Sequence, residues 1–205
     1  MKKTATVILI LMSFISIYSQ SLRLGIKTNF LTGNKYLKYE AGPALSADYF
    51  FQDLPVAVNI CTRFYLAELS PENNLSTGYT LGVWGIGITT YYYPVQWAIE
   101  PYIGAGVFYN SNDLQSEGIG SANIYGSYAF AGYLHNNISG EITLGINFSA
   151  DTPINFIAEV TRTFNKPGYE LNTLKPTGSS YSKTVQKEKF DFNSLFLNIG
   201  LAFKL

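Results

Sequence analysis

The chain ends on a strict alternation that few folds can use. Leu195, Leu197, Ile199, Leu201, Phe203 and Leu205 fall on one parity, and Asn198, Gly200, Ala202 and Lys204 on the other. Successive side chains of a strand point to opposite faces, so a period of two marks a strand with one apolar face. The pattern recurs in Ser139 to Ser149, where Ile142, Leu144, Ile146 and Phe148 oppose Glu141, Thr143, Gly145 and Asn147. It recurs in Val56 to Leu66, with Val58, Ile60, Thr62 and Phe64 against Asn59, Cys61 and Arg63, and near the start with Leu22, Leu24 and Ile26 against Arg23, Gly25 and Lys27. No segment beyond residue 19 carries a helix-period stripe. An all-β fold is expected.

Residues 1–19 have the make-up of a secretory signal peptide: basic Lys2 and Lys3, apolar Val7 to Ile17, and small Ser19 ahead of Gln20. The apolar run is too short to span a bilayer as a helix, which takes about 20 residues. Residues 20–205 are then expected to form one domain. Cys61 is the single cysteine, which excludes an intramolecular disulfide and a thiolate metal cluster. No catalytic, metal or cofactor-binding residues are expected. Lys+Arg and Asp+Glu number 14 each, and loss of Lys2 and Lys3 leaves 12 against 14. That mildly acidic balance gives no reason to expect nucleic acid as a partner.

Strands are expected at roughly 21–29, 40–51, 55–66, 77–93, 97–109, 138–149, 154–164 and 191–205. Three connections are tight turns, at Gln52-Asp53-Leu54, Pro94-Val95-Gln96 and Ala150-Asp151-Thr152-Pro153. The others, about 30–39, 67–76, 110–137 and 165–190, are long. Short turns at one end and long loops at the other is the asymmetry of outer-membrane barrels, whose turns face the periplasm. The expected fold is therefore an eight-stranded antiparallel up-and-down transmembrane β-barrel. Segment 121–137 reads as a rising extension of the third long loop, and ten strands are the alternative if 165–190 adds to the wall.

A soluble barrel, apolar within, shares the period of two, so composition must decide the direction of the apolar face. Charged residues are only 14% of the chain, and the polar parity is mainly Gly, Ala, Ser, Thr and Asn. A soluble barrel would need far more charge outside. Aromatics amount to 16% and cluster at Tyr49-Phe50-Phe51, Tyr91-Tyr92-Tyr93 and Trp97, all beside tight turns. Tyr and Trp favour the headgroup level, so Tyr49, Phe51, Tyr92 and Trp97 are expected to form an aromatic girdle. The apolar face then meets lipid. Gly82, Gly85, Gly87, Gly104 and Gly106 would face inward and relieve crowding in a narrow interior. No strand-to-helix junction follows them, so they are not a phosphate loop.

With the apolar face outward, Arg23, Lys27, Asp48, Arg63, Glu100, Glu141 and Glu159 must point into the lumen. Three bases can neutralise most of four acids in an ion-pair network, a structural role, since a buried charge without a partner is costly. Arg162 breaks alternation with Glu159, which calls for a bulge or a place near the outer rim. Bulky Phe50, Tyr102 and Phe108, on the inward parity, oppose a wide pore.

The segments GPALSADYFF (42–51), IEPYIGAGVFY (99–109), AEVTRTF (158–164) and the terminal NIGLAFKL resemble the small outer membrane protein β-barrel domain family, related to the OmpA and OmpX barrels and to porin-family proteins. The end of the chain is similar to the signal read by the barrel-assembly machinery, polar-x-Gly-x-x-aromatic-x-aromatic. Asn198, Gly200 and Phe203 fill its first three places, and Leu205 stands where the last aromatic belongs. The resemblance implies location in the cell outer membrane of a Gram-negative bacterium and an assembly partner. It implies no activity.

A barrel hydrolase needs a base aimed at a nucleophile. The only histidine, His135, has Ser139 nearby but no fuller motif, so no enzyme is expected. Two functions are: a monomeric structural or surface-interaction barrel, or a small porin for ions or small solutes. Lys166, Lys175, Lys183, Lys187 and Lys189 against Glu170 and Glu188 make 165–190 a basic loop. Membrane lipid is the expected partner, and lipopolysaccharide fits that loop.

Overall fold

The computed structural model describes residues 22–32, 37–38, 41–51, 54–69, 79–95, 98–114, 116–121, 127–148, 153–177 and 180–205. The signal segment 1–19 and Trp97 lie outside them. The strands are β1 (Leu22–Thr32), β2 (Leu37–Lys38), β3 (Ala41–Phe50), β4 (Val56–Leu69), β5 (Tyr79–Tyr92), β6 (Ile99–Leu114), β7 (Ser116–Ser121), β8 (Ser127–Leu134), β9 (Asn137–Phe148), β10 (Ile154–Phe164), β11 (Gly168–Thr177), β12 (Ser180–Lys189) and β13 (Ser194–Lys204). Among the described residues no helix is long and apolar enough to cross a membrane.

Eight of these strands close a barrel in the order β3-β1-β13-β10-β9-β6-β5-β4, with β4 returning to β3. Every neighbouring pair is antiparallel. The stagger follows from the ladder. Thr32 pairs with Leu195, Leu195 with Arg162, Arg162 with Ile142, and Ile142 with Ala105. Ala105 pairs with Thr90, Thr90 with Val58, Val58 with Tyr49, and Tyr49 with Leu22. One circuit thus shifts β1 from Thr32 to Leu22, a stagger of ten residues. Ten steps of about 3.3 Å against eight spacings of about 4.8 Å tilt the strands by about 40°. Each residue then climbs about 2.5 Å along the barrel axis.

The alternation read in the sequence sets the two faces. β1 shows it as buried Arg23, Gly25, Lys27 and Asn29 on the inner parity, with exposed Leu24, Ile26 and Phe30 between them. Around the wall Leu45, Ile60, Ile86, Ile103, Leu144, Val160 and Ile199 are all exposed. A continuous apolar surface of this size is foreign to a soluble monomer. Outward Tyr49, Phe51, Tyr92, Phe148 and Phe203 ring the end with tight turns. A second ring, Phe30, Phe64, Trp84, Tyr109 and Phe164, stands about 20–25 Å higher by the ladder and is likewise exposed. The spacing matches the apolar band of outer-membrane barrels, about 25 Å tall. Phe50, Tyr91 and Tyr93 belong to the other parity and pack inside.

Three inward glycines seat rings of the neighbouring strand. Gly87 faces Phe108, Gly104 faces Tyr91 and Gly145 faces Tyr102 in direct register. A Cβ at any of the three would collide with the opposing ring. Aromatic side chains thus fold flat over the bare backbone, which lets a narrow lumen hold rings from both walls. Gly82 is a correction: it shares the parity of exposed Trp84, Ile86 and Ile88 and faces outward.

The long connections are not bare loops. Strands β12-β11-β8-β7 form a second sheet in that order. They continue β13, β10, β9 and β6 respectively, so half of the barrel wall runs on past the outer rim. Segment 127–134 is thus the rising extension expected, and the strands of 165–190 extend the wall upward instead of widening the barrel to ten. Arg162 needs no bulge, because the β10 register is unbroken through it; it faces outward near the rim.

Candidate functional site

Two regions hold polar side chains in defined geometry: the lumen, and the break where the wall becomes the outer sheet. Inward Arg23, Lys27, Asp48, Arg63, Glu141 and Glu159 are buried, and Glu100 is nearly so. They lie in three tiers. Nearest the tight turns, Arg23 Nη2 is 3.5 Å from Glu100 Oε2, and Asn147 donates to the same carboxylate. Arg23 also lies over the Phe50 ring at 4.4 Å. At mid-height Lys27 Nζ meets Glu159 Oε1 at 2.6 Å, and Tyr102 Oη donates to that oxygen at 2.6 Å. Asn198 Nδ2 donates to Glu159 Oε2 at 3.2 Å and to Thr161 Oγ1 at 3.0 Å. Nearer the rim, Arg63 pairs with Glu141 and donates to Asn110 Oδ1 at 3.4 Å. Its guanidinium is 4.2 Å from the Phe108 centroid and 5.5 Å from that of Phe196. Asp48, the fourth acid, accepts from the Asn59 amide.

Two apolar layers enclose the mid-height tier and the tier nearer the rim. Below mid-height Ala57, Tyr91, Tyr93, Tyr102, Ile157 and Ala202 pack together with Phe50. Tyr102 lies 5.0 Å from both Tyr91 and Tyr93, centroid to centroid. Toward the rim Leu31, Tyr65, Ala67, Leu81, Val83, Leu134, Phe192 and Phe196 form the second layer. Between them lies a cavity of about 30 Å³, lined by Lys27, Asn59, Cys61, Arg63, Glu141 and Glu159 among others. That is room for one or two waters. Within the cavity lining a charge has its counter-charge or amide within reach, which is what burial demands.

At the break, asparagines replace the ladder. Asn112 N donates to Asn136 Oδ1 at 2.9 Å, and Asn112 Nδ2 donates to His135 O at 2.8 Å and Asn137 Oδ1 at 3.1 Å. Asn137 Nδ2 donates to Asn165 Oδ1 at 2.5 Å, and Asn165 N donates to Asn193 Oδ1 at 2.8 Å. An amide side chain carries both a donor and an acceptor, so it can satisfy either half of an interrupted strand pair. Asparagine at the outer end of each of four adjacent strands, with two at β9, is a signal that the sequence carries. His135 sits exposed at this break, whereas Ser139 is buried in the lumen and accepts from Asn110 at 2.9 Å. The two do not form a base–nucleophile pair.

The terminal-signal residues also have places in the wall. Asn198 holds Glu159, Gly200 lies against the Ile26 carbonyl where a Cβ would collide, Phe203 faces outward, and Leu205 N donates to Leu22 O at 3.0 Å. Above the rim, Lys187 Nζ is 3.2 Å from Glu170 Oε2 and Lys166 Nζ is 3.9 Å from Asp191 Oδ2. Lys187 donates to the Glu170 carboxyl and holds it below the usual carboxylate range.

A closed barrel with its apolar face outward, paired charges inward and aromatic rings at both ends of the belt is a transmembrane β-barrel of the outer-membrane class. No protein-family model matches the chain, and no curated protein matches it significantly. Its fold is similar to that of the outer membrane protein OprG from Pseudomonas aeruginosa, at 16% identity and a TM-score of 0.69, covering 90% of this chain and 96% of that one. A major outer membrane protein from Thermus thermophilus matches at 11% identity and a TM-score of 0.53, covering 89% and 99%. The outer membrane protein AlkL, solved in lipid bilayers, matches at 12% identity and a TM-score of 0.50, covering 92% of each chain.

Proposed function

We propose that this protein is a closed, monomeric outer-membrane barrel whose task is to carry the β7–β8–β11–β12 sheet above the membrane as an interaction surface, without catalysis. The observation that carries this reading is the continuation of one wall beyond the rim, joined by hydrogen-bonded asparagines, on a barrel whose lumen is filled at three depths. Rigid strands present a surface more firmly than loops do. The filling speaks for an anchor: Tyr91, Tyr93 and Tyr102 lie below the Lys27–Glu159 and Arg63–Glu141 pairs, and Tyr65, Leu81 and Phe192 above them. Folding would proceed through the barrel-assembly machinery, with Asn198, Gly200 and Phe203 as recognition residues.

The polar cavity around Lys27 and Glu159 favours a second reading, a small channel for ions or small solutes. It requires both apolar layers to move aside. Planar-bilayer conductance of the refolded chain separates the two. The anchor reading expects a flat baseline; steady openings in the wild type, altered in size by Glu159→Gln, would replace it with the channel reading.

A further inference from the structure

The lipid-facing row of β10 reads Phe156, Ala158, Val160, Arg162, Phe164, and all but one member are apolar. Arg162 is exposed, its side chain makes no ion pair or hydrogen bond among the described residues, and it is flanked on the same face by Ile142 of β9 and Leu195 of β13. It stands eight residues above Ile154, about 20 Å up the axis, and therefore about 5 Å below the Phe164 ring level. An arginine on the lipid face of a barrel is destabilising unless it reaches the interface. Its side chain is long enough to bend up to the headgroups while its stem stays in hydrocarbon.

The surroundings favour an anion at that point. Gly140, paired with Phe164 on β9, leaves open space: a Cβ there would meet nothing within 4 Å. Above it the outward face is basic. Lys166 is 63% exposed and only loosely held by Asp191 at 3.9 Å. Lys187 and Lys189 share one parity of β12, with Glu170 as the opposing acid across the ladder. Below it, Val160, Leu144 and Leu197 are exposed and in direct register, a surface for acyl chains.

We infer that this face of β9, β10 and β13 seats a phosphate-bearing lipid of the outer leaflet, its phosphate on Arg162 with Lys166 above and its acyl chains on Val160, Leu144 and Leu197. Guanidinium offers a planar fork that matches phosphate oxygens, and a charge-assisted bond of this kind is strong where water is scarce. The inference rests on the membrane-spanning reading and adds to it a specific lipid and a specific place.

The test uses the full mature chain in phosphatidylcholine nanodiscs doped with diphosphoryl lipid A or with lipid A stripped of both phosphates, and native mass spectrometry counts the bound lipid. The wild type is expected to hold diphosphoryl lipid A about tenfold more tightly than the stripped form. Arg162→Gln should bring the two within about twofold, and Arg162→Lys should keep part of the preference. Lys183→Gln, farther up the sheet, should keep all of it. Equal retention of both lipids by the wild type, or an undiminished preference in Arg162→Gln, would overturn the inference while leaving the barrel reading intact. Failure of the wild type to enter undoped phosphatidylcholine nanodiscs would overturn both.

Discussion

Glu159→Gln removes one charge from the middle of the lumen and changes almost nothing in shape. The carboxylate takes the Lys27 ammonium and the Tyr102 hydroxyl on Oε1, and the Asn198 amide on Oε2. A glutamine offers one acceptor. With its oxygen toward Lys27 and Tyr102, its NH2 confronts the Asn198 NH2; turned over, it confronts the ammonium. Either way Lys27, 5% exposed, loses its counter-ion. Breaking a buried pair from one side costs about 3–5 kcal/mol, because the remaining charge stays desolvated. With a urea slope of about 2 kcal/mol per molar, the unfolding midpoint should fall by about 2 M. Removing both charges, Lys27→Met with Glu159→Gln, should restore stability to within about 1 kcal/mol of the wild type. The assay is equilibrium urea unfolding in phosphatidylcholine vesicles, followed by the gel shift between folded barrel and heated chain. A midpoint for Glu159→Gln within about 0.3 M of wild type would refute the reasoning, since it would mean that Lys27 is hydrated and the lumen wet. So would a double variant as unstable as the single one.

Glycine positions separate crowding from mere conformation. Gly145→Ala places a Cβ against the Tyr102 ring and should cost about 1–3 kcal/mol, while Gly140→Ala, in open space, should shift the same urea midpoint by less than about 0.5 kcal/mol equivalent. The Glu170–Lys187 pair gives the outer hairpin a pH dependence. Glu170 has a depressed carboxyl, so its contribution is present above the unfolded value near 4.3 and is lost as pH falls through the lower folded value. Amide exchange in Gly168–Thr177 should therefore quicken, relative to the barrel strands, between about pH 5 and pH 3, and Glu170→Gln should abolish that change.

Strand identity and facing were legible in the sequence because both are local. A period of two in Leu195 to Leu205 states which residues share a face, and scarce charge together with aromatics beside tight turns states which face meets lipid. That reasoning placed Arg23, Lys27, Arg63, Glu100, Glu141 and Glu159 on the inner wall without any knowledge of neighbours. Gly82 is the exception: it stands beside inward Gly85 and Gly87 in the sequence but has the outward parity of Trp84 and Ile86. The same reasoning left Arg162 between a bulge and the rim, since one strand does not carry its own height.

Partnership and height were decided only by closure. Alternation looks the same in every register two residues apart, and the stagger of ten exists only once eight strands meet. That stagger brings Glu159 of β10 to Lys27 of β1 and Glu141 of β9 across the lumen to Arg63 of β4, pairs far apart in the chain. It also lays Tyr102 over Gly145 and lifts Arg162 toward the outer ring. The outer sheet was legible only in β8, within the rising extension read at 121–137, and β7, β11 and β12 escaped the sequence for a related reason. Both of its faces leave the bilayer, so no lipid imposes a period of two, and its strands emerge only because the wall below sets their order.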